Sequence, residues 1–179
     1  MHRISKFVLF TVLRWKIVGD FPKEMKQYVV IAAPHTSWMD FPLGILIRSI
    51  KKAKINFIGK KILFKNPQGF FFRRLGGFPI DRTHSNNTVD LLVDMFKRNE
   101  NFKLGISPEG TRKKVQNWKT GYYYVAKKAN VPVVKVALDF KNKQVLIDEP
   151  YFLTADAEQD MKTIKRFFHG VKGRFSELS

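Results

Sequence analysis

Short β-branched apolar runs alternate along this chain with longer stretches whose apolar positions recur every three or four residues. Residues 29–33 (Val-Val-Ile-Ala-Ala) are such a run and predict a buried strand that ends at Pro34, with a loop after it. Residues 38–50 then read as a helix and residues 55–58 as a second strand. Residues 64–79 mix Phe, Arg, Pro and Gly and predict an irregular surface segment. Residues 88–99 carry Val89, Leu92, Val93 and Phe96 on one helical face. Residues 104–107 read as a short strand leading into a Pro-Glu-Gly turn, and 118–129 as a helix. Two further strands, 133–139 and 145–147, flank a polar Lys141-Asn142-Lys143 turn. Residues 156–175 close the chain as a helix with Met161, Ile164, Phe168 and Val171 on one side. Helices alternating with strands predict an α/β fold: a single domain with a central mixed, mostly parallel sheet flanked by helices.

The first 20 residues follow a different pattern. Ile4, Val8, Val12 and Trp15 fall on one side of a helix, and Arg3, Lys6 and Arg14 on another. That is the pattern of a short N-terminal amphipathic helix at a membrane interface, and equally of a helix packed on its own domain. The expected division is residues 1–20 as this helix and 21–179 as the domain proper. No apolar run reaches the ~20 residues needed to span a bilayer, and no small-residue cleavage site follows the first stretch.

Charge narrows the partners. The chain holds 33 Lys and Arg against 15 Asp and Glu, a net charge of +18. Such a field draws anions: lipid headgroups, nucleic acid, coenzyme phosphates or an acidic carrier protein. No nucleic-acid-binding motif is present, so no nucleic-acid partner is expected. Lys51, Lys52, Lys54, Lys60, Lys61 and Lys65 crowd one stretch, and Phe70-Phe71-Phe72 stands beside Arg73-Arg74. Aromatics flanked by cations suit an anionic membrane surface. The absence of cysteine excludes disulfides, thiolate metal sites and a cysteine nucleophile. His2, His35, His84 and His169 lack metal-ligand spacing, so no metal is expected.

Three segments carry candidate chemistry. In Ala33-Pro34-His35-Thr36-Ser37-Trp38-Met39-Asp40, a loop histidine precedes an aspartate in the first turn of the next helix. Imidazole can take a proton in one step and return it in the next, and a carboxylate on its other nitrogen orients it. The same aspartate suits helix capping, with Ser37 and Asp40 spaced as a capping box. In Ser107-Pro108-Glu109-Gly110-Thr111-Arg112, a turn with a guanidinium offers an anion seat, where Glu109 can hold the arginine or a substrate hydroxyl. In Gly76-Gly77-Phe78-Pro79-Ile80-Asp81-Arg82, the glycines permit close backbone approach and Arg82 offers a second phosphate ligand.

Taken in order, these segments resemble the glycerolipid acyltransferases of the lysophosphatidate acyltransferase (PlsC-like) family. The family's first block is His, four residues, then Asp, here His35 to Asp40. Its second runs from a glycine to an arginine, here Gly77 to Arg82. Its third is Phe-Pro-Glu-Gly-Thr-Arg, here 107–112 with Ser107 in place of the phenylalanine. Its fourth is an apolar Val-Pro stretch, here Val131-Pro132-Val133-Val134. Two further departures are Pro34 before His35 and a short chain without clear membrane spans.

The resemblance implies transfer of a fatty acyl group from acyl-CoA or acyl-acyl carrier protein to the free hydroxyl of a lysophospholipid. His35 would be the base and Asp40 its orienting partner. Arg82 and Arg112 would bind the acceptor phosphate, Glu109 and Gly110 would shape that pocket, and Gly77 and Thr111 would complete the substrate-binding set. No cofactor is implied beyond the acyl thioester co-substrate, and the expected location is the cytoplasmic face of a membrane. Rival readings are an acceptor such as a lyso-aminolipid, and a non-catalytic basic peripheral membrane-binding protein.

Overall fold

The computed structural model describes residues 2–80 and 85–178. Seven strands form one sheet: β1 (Lys16–Val18), β2 (Tyr28–Ala33), β3 (Asn56–Lys60), β4 (Gly77–Ile80), β5 (Lys103–Ile106), β6 (Val133–Asp139) and β7 (Gln144–Ile147). Their order is β1-β7-β6-β2-β5-β3-β4. The neighbours β6-β2-β5-β3-β4 are all parallel. β7 is antiparallel to β6 and carries β1 parallel to itself. The sheet is therefore mixed and mostly parallel, and the single α/β domain matches the expectation.

The helices are α1 (His2–Lys6), α2 (Asp40–Ile50), α3 (Gln68–Arg74), α4 (Ser85–Arg98), α5 (Gly121–Ala129) and α6 (Ala157–Phe167). Period-two alternation along the central strands divides them between two layers. Val29, Ile31 and Ala33 of β2, with Val133 and Ala137 of β6, pack under Leu92 and Phe96 of α4, Val125 of α5 and Ile164 of α6. Val30 of β2, with Val134, Val136 and Leu138 of β6, packs against Leu43 and Ile47 of α2 and against Leu9. Because both faces are covered, β2 and β6 read as continuous apolar runs rather than as alternating ones.

Three segments depart from the sequence reading. Residues 64–79 are ordered as the end of a 3-10 turn (Lys61–Phe64), α3 and β4. An aromatic cluster organises them: Phe72 packs against Phe41, Phe57 and Phe64 with ring centroids 5.8, 6.5 and 6.0 Å apart. The N-terminal helix is shorter than 20 residues. After α1 the chain makes a π-helical turn (Phe7–Val12), and Lys16–Val18 joins the sheet as β1. Its buried residues are Ser5 and Leu9, with Trp15 beyond it, whereas Ile4, Phe7, Phe10 and Val12 are exposed. The closing helix also ends early, at Phe167, with Gly170 at positive φ just beyond.

Candidate active site

Adjacent parallel strands β2 and β5 send their following helices to opposite faces of the sheet, α2 to one and α5 to the other. The crevice between the ends of such strands is where open α/β sheets bind ligands. His35 leaves the end of β2, and Glu109 leaves the end of β5.

His35 Nδ1 lies 3.0 Å from Asp40 Oδ2. The aspartate side chain is 2% exposed and the histidine side chain 27%. A buried carboxylate acceptor fixes the proton on Nδ1 and leaves Nε2 as the free acceptor. Oδ2 of Asp40 also accepts from the Ser37 N–H at 2.8 Å, and Ser37 Oγ accepts from the Met39 N–H at 3.2 Å. One carboxylate oxygen of Asp40 thus meets both the imidazole of His35 and the backbone of Ser37. α2 starts at Asp40, so the helix pins the carboxylate and its partner loop together.

A second carboxylate grips the same histidine by its backbone. Glu109 Oε2 accepts from the His35 N–H at 2.7 Å and from Ser107 Oγ at 3.4 Å. The polar Ser107 thus supplies a donor to this buried acid. Burial pushes the Glu109 carboxyl above the usual range, and the His35 backbone bond opposes that shift. The loop beyond turns at Gly110, whose φ is +67° and whose N–H meets Ser107 O at 3.2 Å. Lys119 folds back over this turn: a Cβ built on Gly110 would stand 3.0 Å from Lys119 Cδ. Thr111 Oγ1 accepts from the Lys113 N–H at 3.3 Å, and Arg112 is exposed.

The structure therefore brings His35, Asp40, Glu109 and, through the loop after Glu109, Gly110, Thr111 and Arg112 to one edge of the sheet. Gly77 is buried in β4, and the close approach it permits is to the chain itself. A Cβ there would stand 2.7 Å from Phe57 Cζ and 2.8 Å from Phe72 O. Arg82 lies outside the described residues. One neighbour was invisible in sequence: Thr36, buried beside His35, accepts through Oγ1 from the Phe175 N–H at 3.3 Å, so the C-terminal tail packs on the loop that carries His35. Nothing at 139 residues' separation could have signalled it. Among the described residues, no group of three or more His, Asp or Glu side chains converges as a metal site.

A histidine tethered at ring and backbone, at the mouth of a switch-point crevice, is suited to taking a proton from a hydroxyl. Comparison with known proteins gives the family. The family model described as Acyltransferase matches residues 14–139, which include all four sequence blocks. No curated protein matches significantly. Among solved structures, the 1-acyl-sn-glycerophosphate (LPA) acyltransferase PlsC from Thermotoga maritima is similar, at 27% identity and a TM-score of 0.63. The match covers 92% of this chain and 75% of that one. With the family model spanning more than half of its length, this chain belongs to the acyltransferase family and is PlsC-like in its fold.

Proposed function

We propose that the protein transfers a fatty acyl group from an acyl thioester to the free hydroxyl of a lysophospholipid, foremost 1-acylglycerol-3-phosphate, giving phosphatidate. The observation that carries this reading is the 3.0 Å contact of His35 Nδ1 with the buried Asp40 at the end of β2. In the reaction, His35 Nε2 takes the proton of the acceptor hydroxyl as its oxygen attacks the thioester carbonyl carbon. Asp40 holds the ring and stabilises the imidazolium. The tetrahedral intermediate collapses by breaking the carbon–sulfur bond, and the thiolate recovers the proton from His35. Backbone N–H groups near Gly110 are the candidate donors to the developing oxyanion. Arg112 and Arg82 are the candidate ligands of the acceptor phosphate, with Gly110 and Thr111 shaping that pocket. Glu109, bonded to the His35 N–H, acts here through the histidine, as a positioning residue.

The similar Thermotoga maritima enzyme is named for acylating 1-acyl-sn-glycerophosphate, which favours this acceptor over other lysolipids. A membrane-surface location is supported by the charge of +18 and by the exposed Ile4, Phe7, Phe10, Phe70 and Phe71. Among the described residues, no helix is long and apolar enough to cross a bilayer. The test is acyl transfer by purified protein in lipid vesicles, from acyl-CoA and from acyl-acyl carrier protein, to lysophosphatidate and a panel of other lysolipids. Histidine-dependent product on lysophosphatidate is expected. Product only on another lysolipid would keep the chemistry and move the acceptor. Absence of transfer by folded protein with every pair would refute the enzymatic reading.

A further inference from the structure

A second feature at the sheet edge that carries His35 takes no part in the site described above. α5 starts at this edge, because it must run back to deliver β6 parallel to β5, so Gln116 and Trp118 lie there just before it. α6 ends at this edge, because the tail beyond it bonds Phe140, just past β6, through the Phe140 N–H and Lys172 O at 2.8 Å. The same tail reaches Thr36 beside His35. Between the two segments opens a cleft of about 770 Å3 lined by Gln116, Trp118, Lys165, Arg166, Phe168 and His169. The cleft is shallow and largely open to solvent, so a ligand there lies along the surface.

The lining has a specific chemistry. Trp118 is half-buried and braced edge-on by the buried Phe168, at 5.2 Å between ring centroids. Phe168 thus fixes a large flat ring at the surface. Lys165 and Arg166 are exposed, and neither forms an ion pair among the described residues. No acid lines the cleft, and the chain carries no Asp or Glu between Glu109 and Asp139 or between Asp160 and Glu177. The same stretches add Lys113, Lys114, Lys172 and Arg174. A held indole beside uncompensated cations matches a ligand with a flat heterocycle and phosphates. The ring stacks, and the guanidinium and ammonium take the phosphate oxygens.

We propose that this cleft binds the 3′-phosphorylated adenosine diphosphate end of a coenzyme A thioester. The inference rests on the acyl-transfer reading and deepens it, for it names which thioester the site takes. A carrier protein presents its pantetheine arm without a nucleotide and has nothing to place in the cleft. Coenzyme A anchored here lays its pantetheine arm along the loop of residues 107–120 toward His35.

The test uses the full chain and the double variant Lys165→Glu, Arg166→Glu, whose side chains are exposed and outside the catalytic machinery. Adenosine 3′,5′-bisphosphate is titrated by calorimetry in the presence and absence of inorganic phosphate. Donor kinetics are measured with acyl-CoA, with acyl-pantetheine and with acyl-acyl carrier protein. The expected result is nucleotide binding weakened at least about tenfold in the variant. A matching rise in KM for acyl-CoA, an unchanged kcat and unchanged kinetics with acyl-pantetheine should accompany it. Trp118→Phe, which keeps a flat ring, should bind more tightly than Trp118→Ala.

Equal nucleotide binding by wild type and variant overturns the proposal. So does displacement of the nucleotide by an equal concentration of phosphate, which marks a plain anion patch. A loss confined to the carrier-protein donor also overturns it and makes the cleft a protein-docking surface. Nucleotide binding that depends on Lys165 and Arg166, in a protein that acylates no acceptor, upholds the cleft while refuting the acyl-transfer reading.

Discussion

His35 is held by two carboxylates through two different atoms, and the two contacts do separable work. Asp40 sets the tautomer at the ring, so Asp40→Asn is expected to lower kcat by roughly 10²–10⁴-fold, with His35→Ala at least as severe. Steady-state kinetics on lysophosphatidate check both. Glu109 fixes where the loop sits. Glu109→Ala removes a buried acceptor and leaves the His35 N–H unpaired, a cost of about 1–3 kcal/mol, with a fall in kcat. Glu109→Gln keeps an acceptor and should restore much of that loss. The two variants also differ in pH response. Burial raises the Glu109 carboxyl above its ordinary value of 4.5, so the folded protein keeps this proton to higher pH than the unfolded chain. This group's contribution to stability therefore falls as pH rises from about 4.5 through the folded value. Urea unfolding across that range should decline less steeply with pH for Glu109→Gln than for wild type. Equal slopes would show that Glu109 does not titrate in this window.

At the scale of elements, legibility followed the locality of the forces. β2, α4 and the β6–β7 hairpin were readable because their apolar periods arise within one segment. The pairing of His35 with Asp40 was readable for the same reason. α3 was not. Phe70 and Phe71 point to solvent, at 71% and 58% exposed, while the neighbouring Phe72 packs inward, so the segment shows no polar face to the reader. The bond from His35 to Glu109 joins residues 74 apart, and the nucleotide cleft joins two segments that only the fold brings together. α6 is attached by a buried acid that joins near and distant partners. Its Asp160 is fully buried and accepts from Tyr151 Oη at 2.9 Å, Tyr123 Oη at 3.1 Å and the Thr154 N–H at 2.9 Å. Burial alone would raise this carboxyl, but the bonds from Tyr151, Thr154 and Tyr123 together outweigh it and hold it below its ordinary value of 3.8. The stability it contributes is present above about pH 3.8 and is lost as pH falls through the folded value. Asp160→Ala should destabilise the protein by about 3 kcal/mol at neutral pH, because two tyrosine hydroxyls lose their acceptor. Urea denaturation measures it. A loss below about 1 kcal/mol would mean that water replaces the carboxylate.

At the scale of the whole molecule, several exposed apolar residues lie on the elements packed against α2, the helix that begins at Asp40. α1 packs on α2 through the Ser5–Ser49 hydroxyl contact at 3.0 Å. On the other side, Phe41 of α2 joins the aromatic cluster of α3. Exposed Ile4, Phe7, Phe10 and Val12 thus flank one side of α2, and exposed Ile62, Phe70 and Phe71 the other, with Lys60, Lys61, Lys65, Arg73 and Arg74 among the latter. This arrangement dictates how membrane contact must be tested. Deleting the N-terminus would also remove buried Leu9 and Trp15 and the strand β1, so a lost interaction could not be told from a damaged fold. Point changes avoid this. Phe7→Ser and Phe70→Ser each remove exposed apolar area and leave the core intact. Each should weaken co-sedimentation with anionic vesicles by about 1–2 kcal/mol, roughly five- to thirtyfold, if the ring enters the lipid. Raising the salt concentration should weaken all variants further, because Lys and Arg at the surface are screened. Neutral vesicles should lose most of the binding. If Phe70→Ser is silent while Phe7→Ser is not, the membrane touches only the N-terminal side of α2, and the phenylalanines of α3 face something other than lipid.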